Sequence, residues 1–376
     1  MDPGVFDLCG YGDAIDNRFN LRSSIFVRIT AIGKGLTRMG CLSDKALDDP
    51  NLHRSLDVME FPASRIFENH PLCRVQDILR IQVTDHTYLP KSESFRSDWI
   101  AVAALPAYRA LLQEDVRRTI DCYCAIGTGA GIDALAAIEV FEPRSVVITD
   151  LHGDVVETAH KNIERNLLKS CNVEVLGCVG ALADPLDKCN LKFDVIYENL
   201  PNIPIDQSNS LYDGRTSSSF SNPPTRKRPV TVRRNLLDLH YDLLRDVRNI
   251  LTDDGCVLSV IGSRMPVKEV LELPLLAGYE AALLTYTWKI QSEASEVIPG
   301  YLASEQIGHG PFHYYPVEAL EKIFGKTSPT TAARNAAEIE AELQPHAISS
   351  EEAWNLVTSG HMVGHTVMVL KATLQR

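Results

Sequence analysis

The chain is short of positive charge, of long apolar runs and of paired cysteines, and each shortage removes a class of function. Lys and Arg number 37 against 49 Asp and Glu, a formal net charge of −12. A nucleic-acid binder needs a cationic face, so this balance points away from nucleic acid as a partner. No stretch approaches the ~18 consecutive apolar residues of a membrane helix, so no membrane partner is expected. Met1-Asp2-Pro3-Gly4 offers neither a basic n-region nor an apolar h-region, and no secretory leader is expected there. The 9 cysteines are odd in number and contain no C-x-x-C pair. They read as reduced thiols in a cytoplasmic protein, with neither a disulfide framework nor a metal site. No repeat of solenoid or propeller period occurs.

What is present is ordinary globular material: 376 residues, 45% apolar and 23% charged, enough for a sizeable core. Residues 1–95 read as an N-terminal extension or cap, with Ile25–Ile29 apolar and Leu79–Val83 alternating like a half-buried strand. Asp98 to Leu112 has helical spacing. Residues 96–376 then alternate between strand and helix signals. Strands are expected at Cys122–Ile126, Ser145–Asp150, Val173–Cys178, Phe193–Tyr197 and Cys256–Gly262, with late strands at Tyr279–Ile290 and His365–Thr373. Helices are expected at Asp154–Leu168 and Leu236–Leu251. Continuous apolar strands separated by helices mean an α/β fold with a parallel sheet covered on both faces. Ser208 to Arg234 is rich in Ser, Pro and Arg and reads as an exposed loop. Residues 291–364 form a long insertion between the late strands, placed to roof a ligand site.

Gly127-Thr128-Gly129-Ala130-Gly131 follows the first strand of this series and opens a helix. Glycine permits a sharp bend and lets a ligand approach the main chain closely. Asp150 ends the next strand, 23 positions beyond Gly127. A carboxylate there can accept both hydroxyl protons of a ribose and hold a nucleoside at the carboxyl edge of the sheet. The plain alternative is a tight turn followed by a capping Asp. Position 132 is Ile, where a dinucleotide fingerprint has Gly, and no Gly-Lys-Ser/Thr follows.

The pattern resembles motif I of the class I S-adenosylmethionine (SAM)-dependent methyltransferases, over roughly Tyr88 to Ile261. The late strands are similar to that family's reversed final hairpin. The resemblance implies a Rossmann-like, doubly wound, seven-stranded sheet with SAM as cofactor, bound through Gly127, Thr128, Gly129, Gly131, Asp150 and Leu151. Ala181 or Asp184, after the third strand, would meet the adenine amino group. Where the family has an acidic residue two positions before the first glycine, this chain has Ala125. That contact is either missing or supplied by Asp121 or Asp133.

Asp194-Val195-Ile196-Tyr197-Glu198-Asn199-Leu200-Pro201-Asn202-Ile203-Pro204 resembles motif IV of amide- and amine-N-methyltransferases, with the release-factor glutamine N5-methyltransferases nearest. Asn199 matches the motif's Asn and Pro201 its second Pro, while Leu200 and Asn202 replace its first Pro and its aromatic residue. An Asn carbonyl at this edge can hold a nitrogen by its protons and aim its lone pair. Loss of the aromatic residue favours a small aliphatic amine or amino acid over a flat ring. The amine can also belong to SAM itself. The Asn199–Asn202 turn with Ser263 bears some resemblance to the azetidine-2-carboxylate synthases, which close a ring and release methylthioadenosine. A non-catalytic SAM-binding module and an NAD-dependent oxidoreductase are the further alternatives.

Other candidates have weaker signals. Tyr88, with Pro90 nearby, would lend a π-face to a sulfonium. Glu198 is either a general base beside Asn199 or turned away from it. His152 is an adenine neighbour or a turn residue. His309 and His313 read as a lid contact, and the run Arg226-Lys227-Arg228 with Arg233-Arg234 as a solvated loop or an anion attractor. A small-molecule substrate and a possible homodimer complete the expectations.

Overall fold

The computed structural model describes residues 26–28, 58–68, 71–87, 94–205, 219–221 and 226–375. In chain order the first elements are β1 (Phe26–Arg28), β2 (Val58–Pro62), α1 (Ser64–Phe67), β3 (Ile78–Gln82) and α2 (Leu105–Glu114). Next come β4 (Cys122–Ile126), α3 (Ile132–Phe141), β5 (Ser145–Asp150), α4 (Gly153–Asn166), β6 (Glu174–Val179) and β7 (Phe193–Glu198). Two short strands, β8 (Ile203–Ile205) and β9 (Ser219–Ser221), precede α5 (Val230–Arg234), α6 (Asp238–Asp246), β10 (Leu251–Ser263), α7 (Val267–Leu276) and β11 (Tyr279–Ile290). The chain closes with α8 (Ala294–Gln306), β12 (Tyr315–Pro316), α9 (Val317–Phe324), α10 (Pro329–Arg334), α11 (Ala336–Leu343), α12 (Ser350–Thr358) and β13 (Val363–Leu374).

The main sheet runs β1-β6-β5-β4-β7-β10-β13-β11, with β12 attached to β13. From β6 to β10 neighbouring strands are parallel, and β13 is inserted antiparallel between β10 and β11. The seven strands from β6 to β11 are the α/β doubly wound Rossmann-like sheet expected from the sequence, reversed final hairpin included. β1 extends its edge antiparallel to β6. β4 shows why the apolar run was needed: all five residues are buried. Cys122, Cys124 and Ile126 enter the core on one face, and Tyr123 and Ala125 the core on the other. Both faces are dry because helices cover both.

Some boundaries move. The helix expected over Leu236–Leu251 stops at Asp246, passes through a 3-10 turn at Val247–Ile250 and gives way to β10 already at Leu251. Val230–Arg234, inside the expected loop, is helical, and the rest of that stretch lies largely outside the described residues. The insertion before β13 folds into α8 to α12 and β12. No helix among the described residues is long and apolar enough to cross a membrane.

The β2–β3 hairpin is docked to α4 by two asparagines one helical turn apart. Asn162 Oδ1 accepts from Gln82 N (2.9 Å) and its Nδ2 donates to Gln82 O (2.7 Å). Asn166 Oδ1 accepts from Arg80 N (2.7 Å) and its Nδ2 donates to Arg80 O (3.0 Å). Each primary amide thus pairs with one β3 residue as a neighbouring strand would, satisfying backbone groups that the helix would otherwise strand.

Candidate functional site

The site is assembled at the carboxyl edge of the sheet, where β4, β5, β6 and β7 release their chains. Gly127, Gly129 and Gly131 all have positive φ (69°, 52° and 81°). Gly131 is the tightest of them: a Cβ there would lie 3.0 Å from the Ala159 carbonyl oxygen of α4. Gly129 faces the other way, since a Cβ on it would meet nothing within 4 Å. One glycine therefore lets two helices approach, and the other leaves the top of the turn open. A Cβ at Gly127 would touch Leu200 Cδ2 at 3.5 Å, which brings the turn after β4 against the turn after β7.

Asp150 ends β5 with its carboxylate directed at this turn. Oδ2 accepts from Gly129 N (3.4 Å) and Oδ1 from His152 N (3.2 Å). Burial raises its pKa above the ordinary carboxylate range, against the opposing pull of those N–H donors. Leu151, the next residue, is 61% exposed, and Ala181 and Asp184, after β6, are exposed as well. The Asp184 carboxyl is also raised, by burial first and then by Asp246. Thr128 is buried, and its hydroxyl donates to Asp133 Oδ1 (3.1 Å).

Neither alternative carboxylate takes the place vacated at Ala125. Asp121 precedes β4 at the opposite, amino end of the strand, paired with Arg144. Asp133 is buried, and Oδ1 accepts from Ala134 N (2.7 Å) in addition to Thr128. Its burial pushes its pKa up to about 7. It serves the interior of the glycine turn.

Beneath the turn after β7 lies a polar post that sequence reasoning did not find. Glu198 and His240 are both fully buried, with His240 Nδ1 2.8 Å from each carboxylate oxygen. Glu198 Oε2 also accepts from Leu200 N (3.1 Å). Asn202 Nδ2 donates to Leu236 O (3.0 Å) and lies 3.4 Å from His240 Nε2. The imidazole thus links the Glu198 carboxylate on its Nδ1 side to the Asn202 amide on its Nε2 side. Glu198 and Asn202 thus face inward and hold the turn, and Pro201 is half-buried within it. Asn199 is half-buried, and among the described residues its amide makes no hydrogen bond. Ser263, at the end of β10, is buried and donates its hydroxyl to Met265 O (2.9 Å), closing its own turn.

His152 is stacked on His86 (centroids 4.2 Å apart, planes within 4°), and His86 Nδ1 lies 3.0 Å from Asp154 Oδ2. These contacts clasp the chain after β3 to the start of α4. Tyr88 and Pro90 lie outside the described residues. The insertion borders the same edge: His309 Nδ1 meets Arg233 O (2.8 Å), His313 N donates to Arg264 O (2.8 Å), and α8 contacts β8. Three cations of the basic run are paired locally, Arg226 with Asp246, Arg228 with Asp238 and Asp242, and Arg234 with Glu269.

His240 stands 42 positions from Glu198, a distance at which sequence offers no signal. Asn162 and Asn166 did offer one, as polar residues on the buried face of an amphipathic helix.

No family model matches the chain, and no curated protein does. Solved structures do match. The YcgJ protein of Bacillus subtilis is 13% identical, with a TM-score of 0.37, covering 72% of this chain and 99% of that one. The ribosomal protein L11 methylase of Lactobacillus delbrueckii subsp. bulgaricus is 16% identical at a TM-score of 0.31, covering 47% of this chain and 69% of its own. The precorrin-6y C5,15-methyltransferase of Geobacter metallireducens is 8% identical at 0.35, covering 77% and 94%. At scores this low the fold assignment rests on the strand order of the chain itself.

Proposed function

We propose that this chain is a SAM-dependent transferase that moves a methyl group to the nitrogen of a small amine or amino acid. The observation that carries the reading is the pairing of two features at one sheet edge. The Asp150 carboxylate bridges to the open glycine turn, and the unengaged Asn199 amide stands on the adjoining turn, joined to the first through Leu200 and Gly127. In this reading Asp150 accepts ribose hydroxyls, and the open space beside Gly129 supports it. Leu151, apolar and exposed, offers a flat nucleobase a surface to cover.

SAM supplies an activated methyl group, so alignment is the main task left to the protein. The Asn199 amide oxygen accepts a proton of the acceptor nitrogen and aims its lone pair. Pro201 restricts the turn, and the Glu198–His240–Asn202 post holds it from below. Glu198 acts in this reading by positioning, because both its oxygens are occupied from the buried side. The incoming ammonium loses its proton to solvent before attack.

The test is incubation with SAM alone, then with SAM and a pool of amines and amino acids, with mass spectrometry of the nucleoside product. S-adenosylhomocysteine formed only with the pool supports the reading. Methylthioadenosine from SAM alone, with a new cyclic amino acid, would replace methyl transfer by cyclisation. Tight binding with no product in either arm would leave a SAM-binding module.

A further inference from the structure

The segment after β6 carries a feature that the proposed transfer does not use. Cys178 Sγ and Cys189 Sγ lie 3.5 Å apart, separated by 11 positions in the chain. Cys178 is buried near the end of β6, facing the interior, whereas Cys189 is half-buried at the end of the Leu186–Lys188 turn. Between them runs the stretch with Ala181 and Asp184, folded by successive turns: Asp184 N donates to Ala181 O, Leu186 N to Ala183 O and Cys189 N to Leu186 O. Near its start it is tied to the candidate site, since Gly180 N donates to the Asp150 carbonyl oxygen (3.0 Å). Two thiols at this distance need to close by about 1.5 Å to reach the ~2 Å of a disulfide.

We propose that Cys178 and Cys189 form a reversible thiol–disulfide modification site whose oxidation tightens the 180–188 segment and changes the affinity of the adjoining nucleoside site. The second half of this statement rests on the proposed nucleoside site; the first does not. Cys189 is the attacking sulfur, being the accessible one. The hydrogen bond from Cys178 lowers its pKa, outweighing its partial burial, and favours the thiolate. With hydrogen peroxide as oxidant, the Cys189 thiolate attacks one peroxide oxygen. The O–O bond breaks, water leaves once the departing hydroxide is protonated, and Cys189 becomes a sulfenic acid. Cys178 sulfur then attacks the Cys189 sulfur, the S–O bond breaks, and the Cys178 proton leaves with the hydroxyl as a second water. Two thiols and one peroxide give one disulfide and two waters; a dithiol such as dithiothreitol reverses it.

The test treats the folded full-length chain with hydrogen peroxide, quenches free thiols by alkylation and maps disulfides by mass spectrometry. Affinity for S-adenosylhomocysteine is measured by calorimetry on the reduced, oxidised and re-reduced protein. The expected result is a Cys178–Cys189 peptide pair that dithiothreitol removes, with an affinity change of about threefold or more on oxidation that Cys189→Ser abolishes. No such pair, or one formed only together with indiscriminate pairing of Cys124 and Cys171, overturns the modification site. A clean pair with unchanged affinity overturns the coupling. If neither redox form binds the nucleoside but the pair forms, the cofactor reading fails and the modification site stands.

Discussion

Asp133 offers a quantitative test of how the glycine turn is built. Its carboxyl is buried in the first turn of α3, bonded to Thr128 and Ala134, and its pKa rises from 3.8 to about 7 because burial disfavours the charge. Between these values the folded chain keeps a proton that the unfolded chain has lost. Stability must therefore fall as pH rises across this window and level off above about 7, at about 1.4 kcal/mol per pH unit. From pH 5 to pH 8 the contribution of this one group amounts to about 3 kcal/mol. Asp133→Asn keeps an oxygen for the Thr128 hydroxyl and removes the titration. Other groups also contribute to the pH dependence: Asp150 is raised in the same direction, whereas His365, held neutral by burial and by Arg264 and Lys289, adds stability as pH rises towards its unfolded value and no more above it. The difference between wild type and variant isolates Asp133. Urea unfolding at pH 5, 6, 7 and 8 should show the variant gaining on the wild type by about 3 kcal/mol over the series. Parallel pH profiles would refute the reasoning and place the Asp133 charge in solvent.

Four further substitutions separate the parts of the site. Asp150→Ala should weaken S-adenosylhomocysteine binding by about 1–3 kcal/mol in calorimetry, the cost of lost charged hydrogen bonds; unchanged affinity removes the ribose role. His240→Ala should cost about 3–5 kcal/mol in urea unfolding, because Glu198 is left buried without its partner. Glu198→Gln should cost less and leave the pH dependence of turnover unmoved, whereas a shifted profile would make Glu198 the base. Asn162→Ala should cost about 2–4 kcal/mol, since its amide serves Gln82 and also donates to Ala130 O (3.0 Å) in the glycine turn. A loss below about 0.5 kcal/mol would mean that water replaces all of those bonds.

The seven strands β4, β5, β6, β7, β10, β11 and β13 of the main sheet, the α4 helix and the glycine turn with its carboxylate were legible in the sequence. These are written locally: a strand buried on both faces must be apolar where it is covered, as β4 is along its length and β5 and β7 are at Val146–Ile148 and Val195–Tyr197, and a helix covering one must be amphipathic, as α4 is. A chain reversal at positive φ asks for glycine where Gly127, Gly129 and Gly131 stand. Tertiary structure alone decided which polar side chains turn inward. Glu198 and Asn202 lie beside Asn199 in sequence, yet they engage His240, while Asn199 makes no such contact among the described residues. Asp121 and Asp133 flank the same strand and turn, yet one lies at the far edge and the other inside. The partners of a buried polar group come from segments distant in the chain, as His240 does for Glu198 and Gln82 for Asn162, and no local pattern encodes a meeting that only packing brings about.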